Sequence, residues 1–132
     1  MNLESYEWGT FYDDVKKGRF QIATMKWVGI ADPDIYRAAF HSREKPPGGR
    51  NRGGFENPTL DRLLDSAERE GDPRRRRELF NQAQRIVQED FAIIPLWYDE
   101  QVAVARKNIL DYRPSITSDF KPFADIRKVA SP

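Results

Sequence analysis

The chain has 132 residues, and its 22 lysines and arginines against 21 aspartates and glutamates give a net charge of +1. This balance excludes a chain-wide positive field of the kind that attracts nucleic acid or an anionic membrane surface. The absence of cysteine excludes disulfides, thiolate metal sites and cysteine nucleophiles. The length suits one domain or a piece of a larger one, and the 12% aromatic content is too high for a disordered chain.

The first third of the chain predicts a helix, a strand and a short second helix. Residues 3–17 place apolar side chains at helical spacing, and Gly18 is a suitable residue to end that helix. Residues 20–27 are predicted to form a strand that is partly buried on both faces. A short helix is expected over residues 33–40.

A loop is predicted over residues 43–54, where glycine and proline are frequent and four basic residues occur. A basic, glycine-rich loop could cradle a phosphate. Its spacing matches neither the P-loop nor the dinucleotide fingerprint, so a surface loop near a binding cleft is the favoured interpretation.

Two adjacent amphipathic helices are predicted by a repeated start signal. Asn57-Pro58 and Asp72-Pro73 each supply an N-cap residue followed by proline at the first helical position. Gly71 separates the two segments, and leucines, alanines and other apolar residues recur at helical spacing in both. We expect two helices packed against each other rather than one continuous helix.

The last third is predicted to be extended and then irregular. Residues 93–98 and 102–105 have the composition of strands, with Pro95 at a strand start or an edge and a turn at Asp99-Glu100. After Asn108 the periodicity is lost, so residues 109–132 are expected to form an irregular C-terminal segment.

Candidate catalytic and metal-binding groups are few. His41 is the only histidine, and no nucleophile, base and oxyanion donors converge, so we predict a non-enzyme without a metal or other cofactor. The four arginines at 74–77 lie in the first turns of a predicted helix among acidic residues. We interpret them as a solvated helix surface with local ion pairs, and one arginine as having a structural partner, rather than as a nucleic-acid site.

The segment from Trp27 to Tyr36 is the candidate binding segment. It follows the predicted strand and passes through Gly29 and Asp32-Pro33 into a helix. Ligand sites in α/β proteins often form where strands end. The alternative is an ordinary junction in which Asp32 or Asp34 caps the helix and Trp27 packs in the core.

An ordered series of motifs resembles the family 5 extracellular solute-binding proteins, of the oligopeptide, dipeptide and nickel-binding type that serve ABC importers. The series, which runs from about residue 4 to about residue 115, consists of Glu7-Trp8, Gly18-x-Phe20, Trp27-x-Gly29 with Asp32-Pro33-Asp34, Asn51-x-x-Gly54-Phe55-x-Asn57-Pro58-x-x-Asp61-x-Leu63-Leu64, Asp72-x-x-x-Arg76, Gln82-x-x-x-Ile86 and Ile94-Pro95-Leu96-Trp97-Tyr98.

The resemblance implies a C-terminal fragment of a two-lobed protein that traps its ligand by hinge closure. The implied fold is α/β, a partial lobe of the periplasmic-binding-protein type II fold with a small sheet and packed helices. Residues 1–108 would form part of that lobe, and residues 109–132 would return toward the other. The implied partners are a small solute or short peptide and the membrane subunits of an ABC importer. The parent would be periplasmic or otherwise extracytoplasmic; no signal peptide is recognisable in Met1-Asn2-Leu3-Glu4.

The resemblance also implies where the ligand would bind. The strand and turn at Lys26-Trp27-Val28-Gly29-Ile30 would face the cleft and pair through the backbone with an extended peptide. Peptide-binding members often place an aspartate just after the Trp-x-Gly element, where this chain has Ile30 and Ala31. Because of that departure, a small solute other than a peptide remains an alternative ligand. The predicted ligand-binding residues are Lys26, Trp27, Val28, Gly29, Ile30, Asp32 and Asn51.

Two other classes of function compete with solute binding. One is a free-standing small interaction protein, derived from a solute-binding protein, that acts through a dimer or partner interface. The other is a nucleic-acid-binding domain, which the net charge of +1 disfavours. For the isolated chain we expect a two-fold dimer through strand edges, with residues 20–27, 93–98 and the tail after Asn108 as participants.

Overall fold

A computed structural model describes residues 4–98 and 100–130. Its α-helices are α1 (Trp8–Lys16), α2 (Ile35–Phe40), α3 (Pro58–Arg69) and α4 (Pro73–Glu89), and its strands are β1 (Ile109–Leu110) and β2 (Arg127–Lys128). Two short 3₁₀ helices cover Ser42–Glu44 and Lys121–Asp125. The chain divides into two compact units. The first consists of the described residues up to 25 together with 32–94, and the second consists of 26–31 with the described residues from 95 onward.

The α3–α4 hairpin is the centre of the first unit, and its two predicted helices are confirmed. Asn57 Oδ1 accepts hydrogen bonds from the backbone N–H groups of Thr59 and Leu60 at 3.0 and 3.1 Å. Asp72 Oδ1 accepts from Arg74 and Arg75 in the same way, at 2.8 and 3.0 Å. Each cap satisfies donors that have no partner inside the helix, so each helix begins where the Asx-Pro pair predicts.

The core of the first unit lies between α3 and α4 and extends onto α1 and α2. Residues at i, i+3 and i+4 turn toward the neighbouring helix, and their side chains leave water almost completely. Burying a leucine or phenylalanine side chain in this way contributes roughly 1.5–3 kcal/mol. The buried apolar residues are Val15, Ala39, Phe40, Leu60, Leu64, Ala67, Phe80, Ala83 and Val87.

Helix α1 is shorter than the predicted 3–17. It begins at Trp8, with Glu7 Oε2 accepting a hydrogen bond from the Gly9 N–H at 2.8 Å. Its end agrees with the prediction, because Gly18 follows with a φ of +69°, a value that glycine adopts without steric cost. Leu3, which the prediction included, lies outside the described residues. Helix α2 is also shorter, since Pro33 and Asp34 form a turn before it.

The strand predicted over residues 20–27 is wrong. This stretch is a bend followed by backbone without regular secondary structure, and it belongs to no ladder among the described residues. Ile22 is 79% exposed. Local composition favours an extended conformation, but a strand also requires a partner at the correct register. In the described part of the chain that partner is absent.

The second unit contains the sheet, in a place where the sequence predicted irregular structure. β1 and β2 pair antiparallel, with Ile109 opposite Lys128 and Leu110 opposite Arg127. The Tyr112 and Phe123 rings lie 5.3 Å apart and give this part of the tail a small apolar contact. Residues 93–98 and 102–105 are not in a ladder among the described residues, and the Asp99 half of the predicted turn lies outside them.

The described residues therefore form a small α/β structure of packed helices and one two-stranded sheet. This agrees with the predicted fold class at that level. Within residues 4–98 and 100–130, none of the helices has both the length and the apolar character required to cross a bilayer.

Candidate functional site

The candidate binding segment, Lys26 to Ile30, lies in the second unit as a stretch without regular secondary structure that bends at Gly29. Trp27 is half-buried, whereas Val28 and Ile30 are 56% and 42% exposed. The five residues present an aromatic ring, two aliphatic side chains and a lysine without any carboxylate. This composition suits apolar and backbone contacts with a ligand, which are the contacts that line most small-molecule sites.

Gly29 gives the segment its bend. Its φ of +74° lies in the left-handed region, which favours glycine over every residue that carries a Cβ. A Cβ at this position would lie 3.7 Å from the Thr117 carbonyl oxygen, so there is space for the atom, and the backbone angle is the constraint. The requirement for glycine in the Trp-x-Gly motif is therefore conformational.

Thr117 belongs to a turn that the sequence analysis did not identify. Asp119 Oδ2 accepts hydrogen bonds from Thr117 Oγ1 at 2.6 Å and from Ser115 Oγ at 3.1 Å. Asp119 Oδ1 accepts from the Lys121 N–H at 3.0 Å. The Thr117 hydroxyl, followed by the Lys121 N–H, holds the pKa of Asp119 below its ordinary value. The Ser-x-Thr-x-Asp alternation after Pro114 is the sequence signal for this turn.

Asp32, the sixth predicted ligand residue, lies in the first unit and is paired with Arg76 of α4. Arg76 Nη2 lies 2.9 Å from Asp32 Oδ1 and 2.8 Å from Asp34 Oδ1. Arg76 also packs over the Phe80 ring, with its guanidinium carbon 4.9 Å from the ring centroid. The Arg76 hydrogen bond, followed by the Asp34 N–H, lowers the pKa of Asp32, and Asp32 in turn raises the pKa of Arg76.

This arrangement confirms the interpretation that one of the four arginines has a structural partner. Asp32 Oδ1 also accepts a hydrogen bond from the Asp34 N–H at 2.9 Å. The Asp32 carboxylate thus stabilises the turn that leads into α2, whereas Asp34, the N-cap residue of α2, makes no side-chain capping hydrogen bond, so the predicted helix cap is not formed by either carboxylate. Both carboxylates face the same guanidinium, so one positive charge compensates half of their combined negative charge.

A shallow depression of about 310 Å³ adjoins this ion pair. Its lining comes from the turn before α2, the connection between α3 and α4, and the first turns of α4. Of the seven predicted ligand residues, none lines it. The residues that do are Pro33, Gly71, Pro73, Arg76, Arg77 and Phe80.

Asn51, the seventh predicted ligand residue, is 1% exposed and organises the loop of the first unit. Its Nδ2 donates to the backbone oxygens of His41 and Phe55 at 3.1 and 2.7 Å, and its Oδ1 accepts from the Phe55 N–H at 2.9 Å. All polar atoms of this side chain are used by the loop. The loop also contains a close approach at Gly49, where a Cβ would lie 2.0 Å from the Glu44 oxygen.

A partly buried polar network that the sequence did not reveal surrounds the buried His41. Its Nε2 lies 3.2 Å from Asp65 Oδ1, and the same oxygen accepts from Arg37 Nη1 at 2.6 Å. Ser42 donates to Asp61 from both its backbone N–H and its hydroxyl. Arg37, followed by His41, lowers the pKa of Asp65. The carboxylates come from one face of α3 at i and i+4, and that spacing was the available signal.

The described residues contain no group of three or more histidines, aspartates or glutamates placed to hold a metal ion. The five contiguous residues of the candidate segment lie together in the second unit. Asp32 and Asn51 lie in the first unit, each with protein partners of its own.

Comparison with known proteins identifies relatives that bind peptides. The chain is 28% identical over 110 residues to the oligopeptide-binding protein OppA of Bacillus subtilis. This match covers 83% of this chain and 20% of the relative. It is 30% identical over 114 residues to di/tripeptide-binding protein 1 of Pseudomonas aeruginosa, covering 86% of this chain and 21% of the relative. The chain is 28% identical over 98 residues to the periplasmic oligopeptide-binding protein OppA of Salmonella typhimurium, and the match covers 74% of this chain and 18% of the relative.

The resemblance to family 5 solute-binding proteins of the oligopeptide and dipeptide-binding type, predicted from the ordered motifs, is confirmed by these matches. The chain spans about a fifth of the length of the curated relatives it matches. No family model matches the chain, and no solved structure matches it significantly.

Proposed function

We propose that this chain is part of the substrate-binding component of an ABC-type importer and contributes to a cleft that holds a peptide or another small solute. The similarity to peptide-binding proteins over most of the chain carries the proposal. Residues 1–108 would supply part of one lobe of a periplasmic-binding-protein type II fold. Residues 109–132 would lead toward the other lobe.

The proposed site is centred on the candidate binding segment. Trp27 would pack against the ligand, and the backbone of Lys26, Val28 and Ile30 would become extended and pair with a peptide main chain. Asp32 and Asn51 stay in the proposed set, with roles in the backbone of the first unit, since Arg76 and the loop already engage their polar atoms. The absence of a carboxylate at Ile30 and Ala31 favours a solute whose ammonium group is not held there.

The proposed partners are the membrane subunits of the importer, and the proposed location is periplasmic or extracytoplasmic. The proposal assigns no catalytic step and no cofactor. It also assigns no nucleic-acid partner, because the charge is balanced and Arg76 is committed to two aspartates.

Isothermal titration of the full product of the reading frame with di-, tri- and oligopeptides tests the proposal. One-to-one saturable binding at micromolar Kd or tighter supports peptide binding. If no peptide binds but another small solute does, the proposed cleft stands and the class of its ligand is revised. Failure of every solute would reject the proposed function.

The second candidate is a free-standing interaction protein that acts as a homodimer or through a partner surface. The exposed apolar side chains of residues 94–104 favour it, since large apolar patches are rare on monomers. The start of the reading frame discriminates between the two candidates. A frame that continues upstream through the remaining length of the relatives supports import, and a frame confined to this chain supports the interaction protein.

A further inference from the structure

Residues 100–106 of the second unit form an exposed segment without regular secondary structure and with an unusual charge pattern. Val102 and Val104 are 79% and 96% exposed, and all seven residues lie at the surface. Among the described residues, none makes a backbone hydrogen bond to positions 100–105. An apolar stretch with open backbone donors and acceptors is a template for pairing with another strand.

Alternation along the segment separates its side chains into two faces. When this segment pairs as a strand, Glu100, Val102, Val104 and Arg106 share one face, because successive side chains of a strand point in opposite directions. The other face carries Gln101 and two alanines, and Gln101 Oε1 accepts a hydrogen bond from Ser118 Oγ at 3.2 Å. The first face has an acid at one end, a base at the other and two valines between them.

We propose that residues 100–106 pair antiparallel with the same segment of a second copy, around a two-fold axis at Ala103. In this register Glu100 faces Arg106 of the second copy, and Val102 faces Val104 of the second copy. Two ion pairs then flank a cluster of four valines on one face of the ribbon. The segment is complementary to itself, which is the requirement of an isologous interface.

Neighbouring two-fold registers lack this complementarity. A pair centred on Val102 would place Glu100 opposite Val104, and a pair centred on Val104 would place Glu100 opposite Asn108. Both leave the charged side chains without an opposite charge. The nearby stretch 93–98 is a poorer candidate for pairing, because Pro95 has no N–H to donate to a ladder.

Dimerisation and the proposed solute binding are measured separately. The absence of native cysteine allows single-cysteine variants of the full chain to report the register. Facing residues of an antiparallel pair have Cα atoms about 4.5–5.5 Å apart, which is within disulfide range. Ala103→Cys is therefore expected to crosslink to a dimer under mild oxidation at micromolar concentration.

Ala105→Cys is the matched control, because in this register residue 105 of one copy would lie roughly 13 Å along the ribbon from residue 105 of the other. It is expected to remain a monomer on a non-reducing gel. Crosslinking of both variants at the same rate, or of neither, would overturn the register.

Charge reversal supplies the second test, by sedimentation equilibrium of the full chain. Glu100→Arg is expected to weaken dimerisation about tenfold, and Glu100→Arg combined with Arg106→Glu to restore it. Unchanged helical circular dichroism shows that α1–α4 are intact in each variant. A wild-type chain that sediments as a 15.4 kDa species at every concentration overturns the proposal, as does a double variant as weak as the single one.

Discussion

His41 Nε2 lies 3.2 Å from Asp65 Oδ1, which joins the end of α2 to the middle of α3 across 24 positions of sequence. The Arg43 N–H donates to His41 Nδ1 at 3.1 Å, so Nδ1 is the acceptor and Nε2 carries the proton that points at Asp65. His41 is only 2% exposed. In the folded protein Asp65, rather than water, is therefore the partner of this N–H group.

Asp65→Ala is expected to lower the free energy of unfolding by about 1–3 kcal/mol, because it leaves a buried imidazole N–H without its acceptor and removes the nearer of the two carboxylates that Arg37 contacts. Urea unfolding followed by circular dichroism measures the change. Asp13→Ala is the control, since Asp13 makes only exposed ion pairs with Lys17 and Arg19 and should change stability by no more than about 0.5 kcal/mol. Equal effects of the two substitutions would contradict the structural role of Asp65.

The same carboxylate makes stability depend on pH. Since Arg37 lowers the pKa of Asp65 in the folded state, the folded protein binds its proton less readily than the unfolded chain does. The resulting stabilisation is complete above about pH 4 and is lost as the pH falls through the folded-state pKa. Asp65→Asn should flatten this part of the pH profile of unfolding. A profile identical to that of the wild type would show that Asp65 does not cause the pH dependence.

Helix capping gives a second stability prediction. Asn57→Ala and Asp72→Ala should each cost about 1 kcal/mol, because each removes a side-chain acceptor from two backbone N–H groups. The caps act on separate helix ends, so the double variant should lose about the sum. Chemical denaturation measures these values, with the exposed Asn81→Ala in the middle of α4 as control. A loss no larger than that of the control would show that the caps are dispensable.

Arg76 is expected to control the titration of Asp32. Arg76→Gln removes the guanidinium that lowers the pKa of Asp32, so that pKa should rise toward its ordinary value. Carboxyl chemical shifts recorded as a function of pH by NMR report the change directly. Arg77→Gln, one position along the same helix, should leave the Asp32 titration unchanged. An Asp32 curve that is the same in both variants would exclude the ion pair in solution.

Trp27→Ala, in the full product of the reading frame, is expected to weaken solute binding more than it lowers stability. Desolvated aromatic contacts carry much of the energy of small-molecule sites. Calorimetric titration and melting temperature measure the two effects, with Trp8→Ala in α1 as a control of equal chemistry outside the segment. Unchanged affinity together with a loss of about 3–5 kcal/mol in folding would assign Trp27 to the core instead.

Signals confined to neighbouring residues were sufficient to predict α3 and α4. An N-cap and a proline act on the backbone within three residues, so Asn57-Pro58 and Asp72-Pro73 define helix starts whatever surrounds them. The strand over residues 20–27 failed for the opposite reason. Extended backbone becomes a strand only when another segment supplies a ladder, and the sequence of one segment does not say whether that partner exists.

The candidate site was predictable only in part. The Gly29 bend follows from the residue type, since a left-handed φ favours glycine. The engagement of Asp32 by Arg76 depends on α4 approaching the turn from 44 positions away, which no local pattern encodes. The same holds for Asn51, whose three hydrogen bonds exist only once the loop has closed.

The local caps of the α3–α4 hairpin also bear on the order of folding. Two helices that begin from their own signals and meet across a connection of three residues need little loop closure before they touch. Contacts that are close in sequence form early, because their entropic cost is small. The hairpin is therefore the expected nucleus, onto which α1 and α2 condense later, and substitutions in it should slow folding more than they speed unfolding.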